Sequence, residues 1–277
     1  MFGTVGAGAS YISSQMTRNI HNHGFQPSWK GTQVLTLLTT KYNNWLASDR
    51  KLRKLRVSLH YWLFRHKLWT EVLTLNTKEK FTSIYRNNLW NNEESLSGGG
   101  STLKRTLQIR HSLLDLIRDY SISSICDAGC GDFHWMKTLA KTNCEYIGVD
   151  IVKDIIALNK DRYGDGNTCF LEADIIHDDL PTTDLILCRH CLFHFSFEDI
   201  FLTIMNFKNS GSKYLLTTNF HSILDNNDIE TGQCRGINFQ KSPFNFPAPI
   251  KTLEEDYSDQ CLALWKLEGI NPDVFGK

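Results

Sequence analysis

Much of what would mark a secreted, membrane-embedded or nucleic-acid-binding protein is missing from this chain. Nothing in the sequence reaches the ~18 consecutive apolar residues a membrane-spanning helix needs, so no transmembrane segment is expected. The 30 basic and 30 acidic residues cancel, which removes net charge as a pointer to an anionic partner. Eight cysteines are present without paired Cys-x-x-Cys sets; only Cys188 and Cys191 have that spacing. Several cysteines fall inside apolar runs, where a free thiol packs as a small hydrophobe, so a reduced intracellular compartment is expected and disulfides are not. A zinc site from Cys188, His190, Cys191 and His194 has the right ligand types, but side chains alternate across a strand and do not converge, so no metal is expected.

What is present is 277 residues, 41% of them hydrophobic, enough for one large α/β domain with an appendage. The charge is uneven. Residues 1–69 hold ten Lys or Arg against one acid, Asp49, so the remaining residues carry the compensating acidic surplus. The larger part is therefore not an expected DNA binder. Residues 1–46 are rich in Ser, Thr and Asn, with Arg18 the only arginine before Arg50. That composition fits a flexible extension, or a mitochondrial transit peptide as the alternative to a cytoplasmic location. From Asp49 to Trp69, Leu52, Leu55, Leu59, Trp62 and Leu63 share one helical face, with Arg50, Lys51, Arg53, Lys54 and Arg56 mostly elsewhere. This basic helix, over 50–67, either touches an anionic surface peripherally or docks by its leucines over the acidic part. The expected organisation is an extension over 1–69 and a catalytic domain over 70–277.

The most telling stretch is Ile122 to Asp132, ISSICDAGCGD: an apolar run closing on Asp127, then Ala128-Gly129-Cys130-Gly131. It predicts a buried strand ending in a tight turn, where a ligand lies against bare backbone and the amides of a following helix. Phe133 to Lys141 carries apolar residues at helical spacing and supplies that helix. Glu145 to Asp150 predicts a second strand ending on a carboxylate, placed to accept ribose hydroxyls. Ile151 to Tyr163 predicts a helix and Thr168 to Asp174 a third strand, again ending on a carboxylate. Asp184 to His190 and Tyr214 to Phe220 predict the fourth and fifth strands, with a helix over Phe195 to Lys208 between them. A last strand is expected over Cys261 to Leu267. Alternating strands and helices with near-continuous apolar strands predict a parallel sheet covered on both faces. Asp127, Asp150 and Asp174 then form a row of carboxylates along one sheet edge. A dinucleotide loop wants Gly-x-Gly-x-x-Gly, and here His134 stands at the third position, which argues against a nicotinamide enzyme.

The Asp-x-Gly-x-Gly spacing with the two later strand-end carboxylates resembles motif I and its continuation in class I S-adenosylmethionine-dependent methyltransferases. The resemblance covers roughly Ser101 to Phe220. Asn88-Leu89-Trp90, Glu94 through Ser101, Arg235 and Pro243-Phe244 are similar to a poorly characterised branch of that family. It implies a Rossmann-like, doubly wound, mostly parallel sheet, here with an N-terminal helical extension, and S-adenosylmethionine as cofactor. It further implies a cofactor site from Asp127, Gly129, Cys130, Gly131, Asp150, Ile151, Asp174, Ile175 and Arg189. The glycines would receive the methionine end, Asp150 the ribose, and Asp174 with Ile175 the adenine.

Methyl transfer is largely a matter of positioning, and a base is needed only where the acceptor loses a proton. His194, a few residues past the fourth strand, is the candidate base, with His190 second; histidine titrates near working pH. Asn219 at the end of strand five either orients an acceptor or caps a turn. Arg235 to Pro249 mixes aromatics with three prolines, which predicts a stiff lid over a sheet edge. A lid and an N-terminal cap together predict an enclosed site and a small-molecule acceptor, methylated on oxygen or nitrogen. Two alternatives stand beside this: a protein or RNA methyltransferase docked through the basic helix, and a catalytically silent binding module.

Overall fold

The computed structural model describes residues 68–139, 144–255 and 259–272, all within one compact unit. The basic extension, including the expected helix over 50–67, lies outside the described residues. The sheet is built from β1 (Ser124–Ala128), β2 (Glu145–Asp150), β3 (Thr168–Glu172), β4 (Leu185–Cys188), β5 (Tyr214–Phe220), β6 (Lys251–Glu254) and β7 (Gln260–Lys266). Its seven strands lie in the order β3-β2-β1-β4-β5-β7-β6. The first five pair in parallel, and β7 runs antiparallel to both β5 and β6. This is the Rossmann-like, doubly wound sheet expected from the alternation of strands and helices. Chain order reverses between β1 and β4, and such a switch point opens a crevice beyond the strand ends.

Burial explains why these segments are strands. All of β4, Leu185-Ile186-Leu187-Cys188, is inaccessible to solvent, because helices cover both faces of a parallel sheet. On one face, Cys126, Ile147, Ile186 and Leu215 pack with Ile200, Ile204 and Phe207. On the other, Ile125, Tyr146, Leu187 and Leu264 pack with Ile109, Leu113 and Leu116. The helices are α1 (Thr77–Arg86), α2 (Leu107–Asp119), α3 (Lys153–Tyr163) and α4 (Phe197–Asn209). α4 starts where Ser196 Oγ accepts the Asp199 N–H, with Glu198 and Asp199 in the first turn favouring the positive end of the helix dipole. α1 starts likewise on Asn76, whose side chain accepts the Glu79 N–H.

Two expectations fail. No α-helix follows the glycine turn: residues 133–139 hold only turns and the 3-10 turn Met136–Thr138. Phe133 has a left-handed backbone (φ 56°) and drives its ring into the core against Tyr146, Tyr163 and Phe170, so the chain dips inward instead of winding outward. The segment with three prolines is not a lid either. Phe239 and Phe244 are inaccessible and Phe246 is 5% exposed. They stack with one another, with Trp265 and with Phe197 and Phe201 of α4, as a continuation of the core.

Candidate active site

The turn after β1 is shaped by two glycines in the left-handed region, Gly129 (φ 84°) and Gly131 (φ 56°). A side chain at Gly129 would press on Cys191 Sγ at 3.0 Å, and one at Gly131 would coincide with the Ser97 hydroxyl. Each glycine therefore admits a neighbouring protein group as well as lining the crevice. The turn amides are engaged within the fold. Gly129 and Cys130 N–H donate to Val149 O (2.8 and 3.0 Å), and Gly131 N–H donates to Asp150 Oδ2 at 3.0 Å. Cys130 is buried, with its thiol close above Gly148, and burial pushes its pKa well up.

The three strand-end carboxylates take two different positions. Asp150, the last residue of β2, accepts the N–H groups of Gly131 and Val152 (3.0 and 2.9 Å) and faces the crevice. Burial raises its pKa, and those backbone donors oppose the rise. Asp174, two residues beyond β3, accepts the Ile176 N–H at 2.9 Å and also faces the crevice. Asp127 does not. It lies one residue inside the end of β1, is 4% exposed, and accepts the Tyr146 hydroxyl at 2.6 Å. Burial pushes its pKa up to about 7.

The crevice is partly open to solvent beyond the strand ends. Gly129, Gly131, Asp150, Ile151, Asp174 and Ile175 line it, together from the ends of β1, β2 and β3. Asp127, Cys130, Arg189 and His194 are not in the lining. The opposite wall comes from residues that the sequence did not single out as ligand contacts: Phe81 and Tyr85 of α1, Trp90, Ser97 and Phe195. The only signal for them is the helical spacing of Phe81, Ile84 and Tyr85 and the unusual run around Trp90 to Ser101. α1 is held in place by an apolar cluster of Val72, Ile84 and Leu89 and by the Phe81–Phe195 ring contact, with Lys80 Nζ donating to Thr231 O at 2.6 Å.

Beyond β4 the polar residues are committed to the protein. Arg189 forms a bidentate pair with Glu255, Nε to Oε1 at 3.0 Å and Nη2 to Oε2 at 2.6 Å. The two side chains are 3% and 0% exposed. Arg189 also donates to Gly100 O and lies 5.3 Å from the Trp135 ring centre. His190 has a left-handed backbone (φ 53°) and its ring meets Gln260. Burial and the Arg189 charge lower its pKa well below the usual value. His194 Nδ1 bonds Gln233 O at 2.8 Å, and its ring stacks on Trp90, which lines the crevice. Burial lowers its pKa to about 4. Asn219 Oδ1 accepts the Phe239 N–H at 2.8 Å, so that amide ties β5 to the aromatic core. Cys188 is sealed in β4 and Cys191 sits beside Gly129, and all eight cysteines are free. Among the described residues no group of three or more His, Cys, Asp or Glu could hold a metal ion.

The strand order, the reversed seventh strand and a crevice at the switch point define a protein class. Residues 125–209 match the model of a family described as a methyltransferase domain. The fold is that of the class I S-adenosylmethionine-dependent methyltransferases, and the family match covers about a third of the chain. Over 98 residues it is 35% identical to phosphoethanolamine N-methyltransferase 1 of Zea mays, a match covering 33% of this chain and 19% of that protein. The chain thus spans about a fifth of that relative's length. Magnesium protoporphyrin IX methyltransferase from Synechocystis PCC 6803, solved with bound S-adenosylmethionine, superposes with a TM-score of 0.50 at 14% identity. That superposition covers 69% of this chain and 97% of the other, and it bears on the fold alone. Human N-acetylserotonin methyltransferase matches at a TM-score of 0.46 and 16% identity, over 72% and 61% of the two chains. The residues present fit such a cofactor: a bare-backbone turn, two crevice-facing carboxylates and apolar cover from Ile151 and Ile175 share one space.

Proposed function

We propose that this chain transfers the methyl group of S-adenosylmethionine to an oxygen or nitrogen of a small-molecule acceptor. The observation that carries the reading is the crevice in which Gly129, Gly131, Asp150 and Asp174 meet beyond three parallel strands. Asp150 would hold the ribose hydroxyls, Asp174 the adenine amine, and Ile151 with Ile175 the faces of the adenosine. When bound, the cofactor supplies an electrophilic methyl group and leaves as a neutral thioether. Support for a small acceptor comes from the aromatic side chains of Phe81, Tyr85 and Trp90, which line the crevice. The catalytic domain of this reading begins near residue 70, after the basic extension, and the free thiols favour a reducing compartment such as the cytoplasm.

His194 is the proposed base. A carbonyl oxygen can only accept, so the Nδ1 that meets Gln233 O carries the proton and Nε2 keeps its lone pair. With a pKa of about 4, the ring is neutral at working pH. The test is calorimetric titration with S-adenosylhomocysteine and, separately, NADH, followed by assay of S-adenosylhomocysteine release over a panel of hydroxyl and amine acceptors. Micromolar binding of the first ligand alone and turnover with a small acceptor are expected. Binding of NADH, or of neither ligand by folded protein, would overturn the reading.

A further inference from the structure

The run Ser95 to Ser101, with its three consecutive glycines, is braced at both ends beside the crevice. A Cβ at Gly98 (φ 93°) would meet Trp90 Cβ at 3.3 Å, and one at Gly100 would overlap the His190 ring. At Gly99 the nearest atom is Asn92 Nδ2 at 3.6 Å, an ordinary contact. The first and third glycines are therefore required by packing and the middle one is not. At its far end the strap is tied by Arg189 Nη2, which donates to Gly100 O at 3.0 Å.

Its near end is tied by Asp132, the residue after the glycine turn. The Asp132 carboxylate accepts Ser95 Oγ (2.9 Å), the Leu96 N–H (2.8 Å) and Ser97 Oγ (3.1 Å). The Asp132 N–H donates in return to Ser97 Oγ at 2.9 Å. Held this way, the Ser97 hydroxyl occupies the space that Gly131 leaves empty, and Ser97 lines the crevice beside Gly129, Gly131 and Asp150. A serine hydroxyl has one proton, and here it is directed to Asp132. Toward the crevice Ser97 can then only accept a hydrogen bond.

We infer that Ser97 accepts a hydrogen bond from the α-ammonium group at the methionine end of the cofactor, and that Asp132 is the positioning residue that holds Ser97 there. The inference rests on the methyltransferase reading above. An ammonium is a pure donor, which matches the lone pair on offer, and the glycine turn against which Ser97 packs is where that end of the cofactor would lie. Asp132 acts on Ser97 through the strap.

The test is calorimetry with two ligands, S-adenosylhomocysteine and 5′-methylthioadenosine, which shares the adenosine and thioether but has no amino-acid end. Wild type is compared with Ser97→Ala, Asp132→Asn and, as a control on the strap itself, Gly99→Ala. Loss of a hydrogen bond to a charged group predicts about tenfold weaker S-adenosylhomocysteine binding in Ser97→Ala and Asp132→Asn. Methylthioadenosine should bind both variants as it binds wild type, and Gly99→Ala should match wild type for both ligands. Unchanged S-adenosylhomocysteine binding in Ser97→Ala would overturn the inference. So would an equal loss for both ligands, which would mark the strap as structural only. Wild type that binds neither ligand overturns the methyltransferase reading, an outcome distinct from either of these.

Discussion

The two halves of the strand-end surface are built on opposite terms. Over β2 and β3 the strand-end carboxylates face open space: Asp150 and Asp174 line the crevice, held from behind by backbone N–H groups. Over β4, β5 and β7 the polar groups face the protein, in the Arg189–Glu255 pair and in the bond of Asn219 to Phe239. Charge facing open space is available to a ligand, whereas buried charge satisfied by the protein maintains the scaffold. The same residue types at the same sheet edge thus divide into a binding half and a bracing half.

Breaking a brace should give the largest effect. Arg189→Ala strands the inaccessible Glu255 carboxylate, and loss of one partner of a buried pair costs about 3–5 kcal/mol. Thermal unfolding should show a large drop in Tm, with Arg189→Met combined with Glu255→Leu recovering most of it. A drop that persists in the double variant would mean that Arg189 does more than neutralise Glu255. On the binding half, Asp150→Ala should leave Tm within a few degrees but weaken S-adenosylhomocysteine by roughly 10- to 100-fold, the range for hydrogen bonds to a charged group.

Asp127 sharpens the contrast, because it is a strand-end carboxylate on the bracing side. With its folded pKa near 7 and an unfolded value near 3.8, the native state holds a proton that the unfolded chain releases. Its contribution to stability is full below about pH 4, declines as pH rises from there to 7, and is gone above that. Asp127→Asn should remove this decline from the difference in stability between variant and wild type, while S-adenosylhomocysteine binding stays within about threefold, since Asn keeps an acceptor for Tyr146. The smallest effect concerns His194. The histidine NMR signal lost in His194→Phe should titrate near pH 4 in wild type, and a midpoint near 6.5 would contradict its burial.

Local signals made the binding half legible. The expected β2 and β5 match the structure residue for residue, because each is a buried apolar run whose ends are set by turns. Asp150 and Asp174 could be read because position along a strand determines where its end points. What stayed hidden was long-range. Helical spacing after the glycine turn gave no hint that Phe133 would turn into the core. The prolines of residues 243–249 resemble a lid until Phe239, Phe244 and Phe246 are seen packed on Trp265. Nor could Phe81, Tyr85 and Trp90 be assigned to the crevice, since they reach it from segments that precede β1 by about forty residues.

The division between binding and bracing carboxylates is tested most directly by titrating S-adenosylhomocysteine into Asp150→Ala and Asp127→Asn side by side. The crevice described here predicts that the first variant, still folded, loses most of its affinity while the second keeps it. Retained binding in Asp150→Ala together with loss in Asp127→Asn would place the ligand elsewhere and contradict the account.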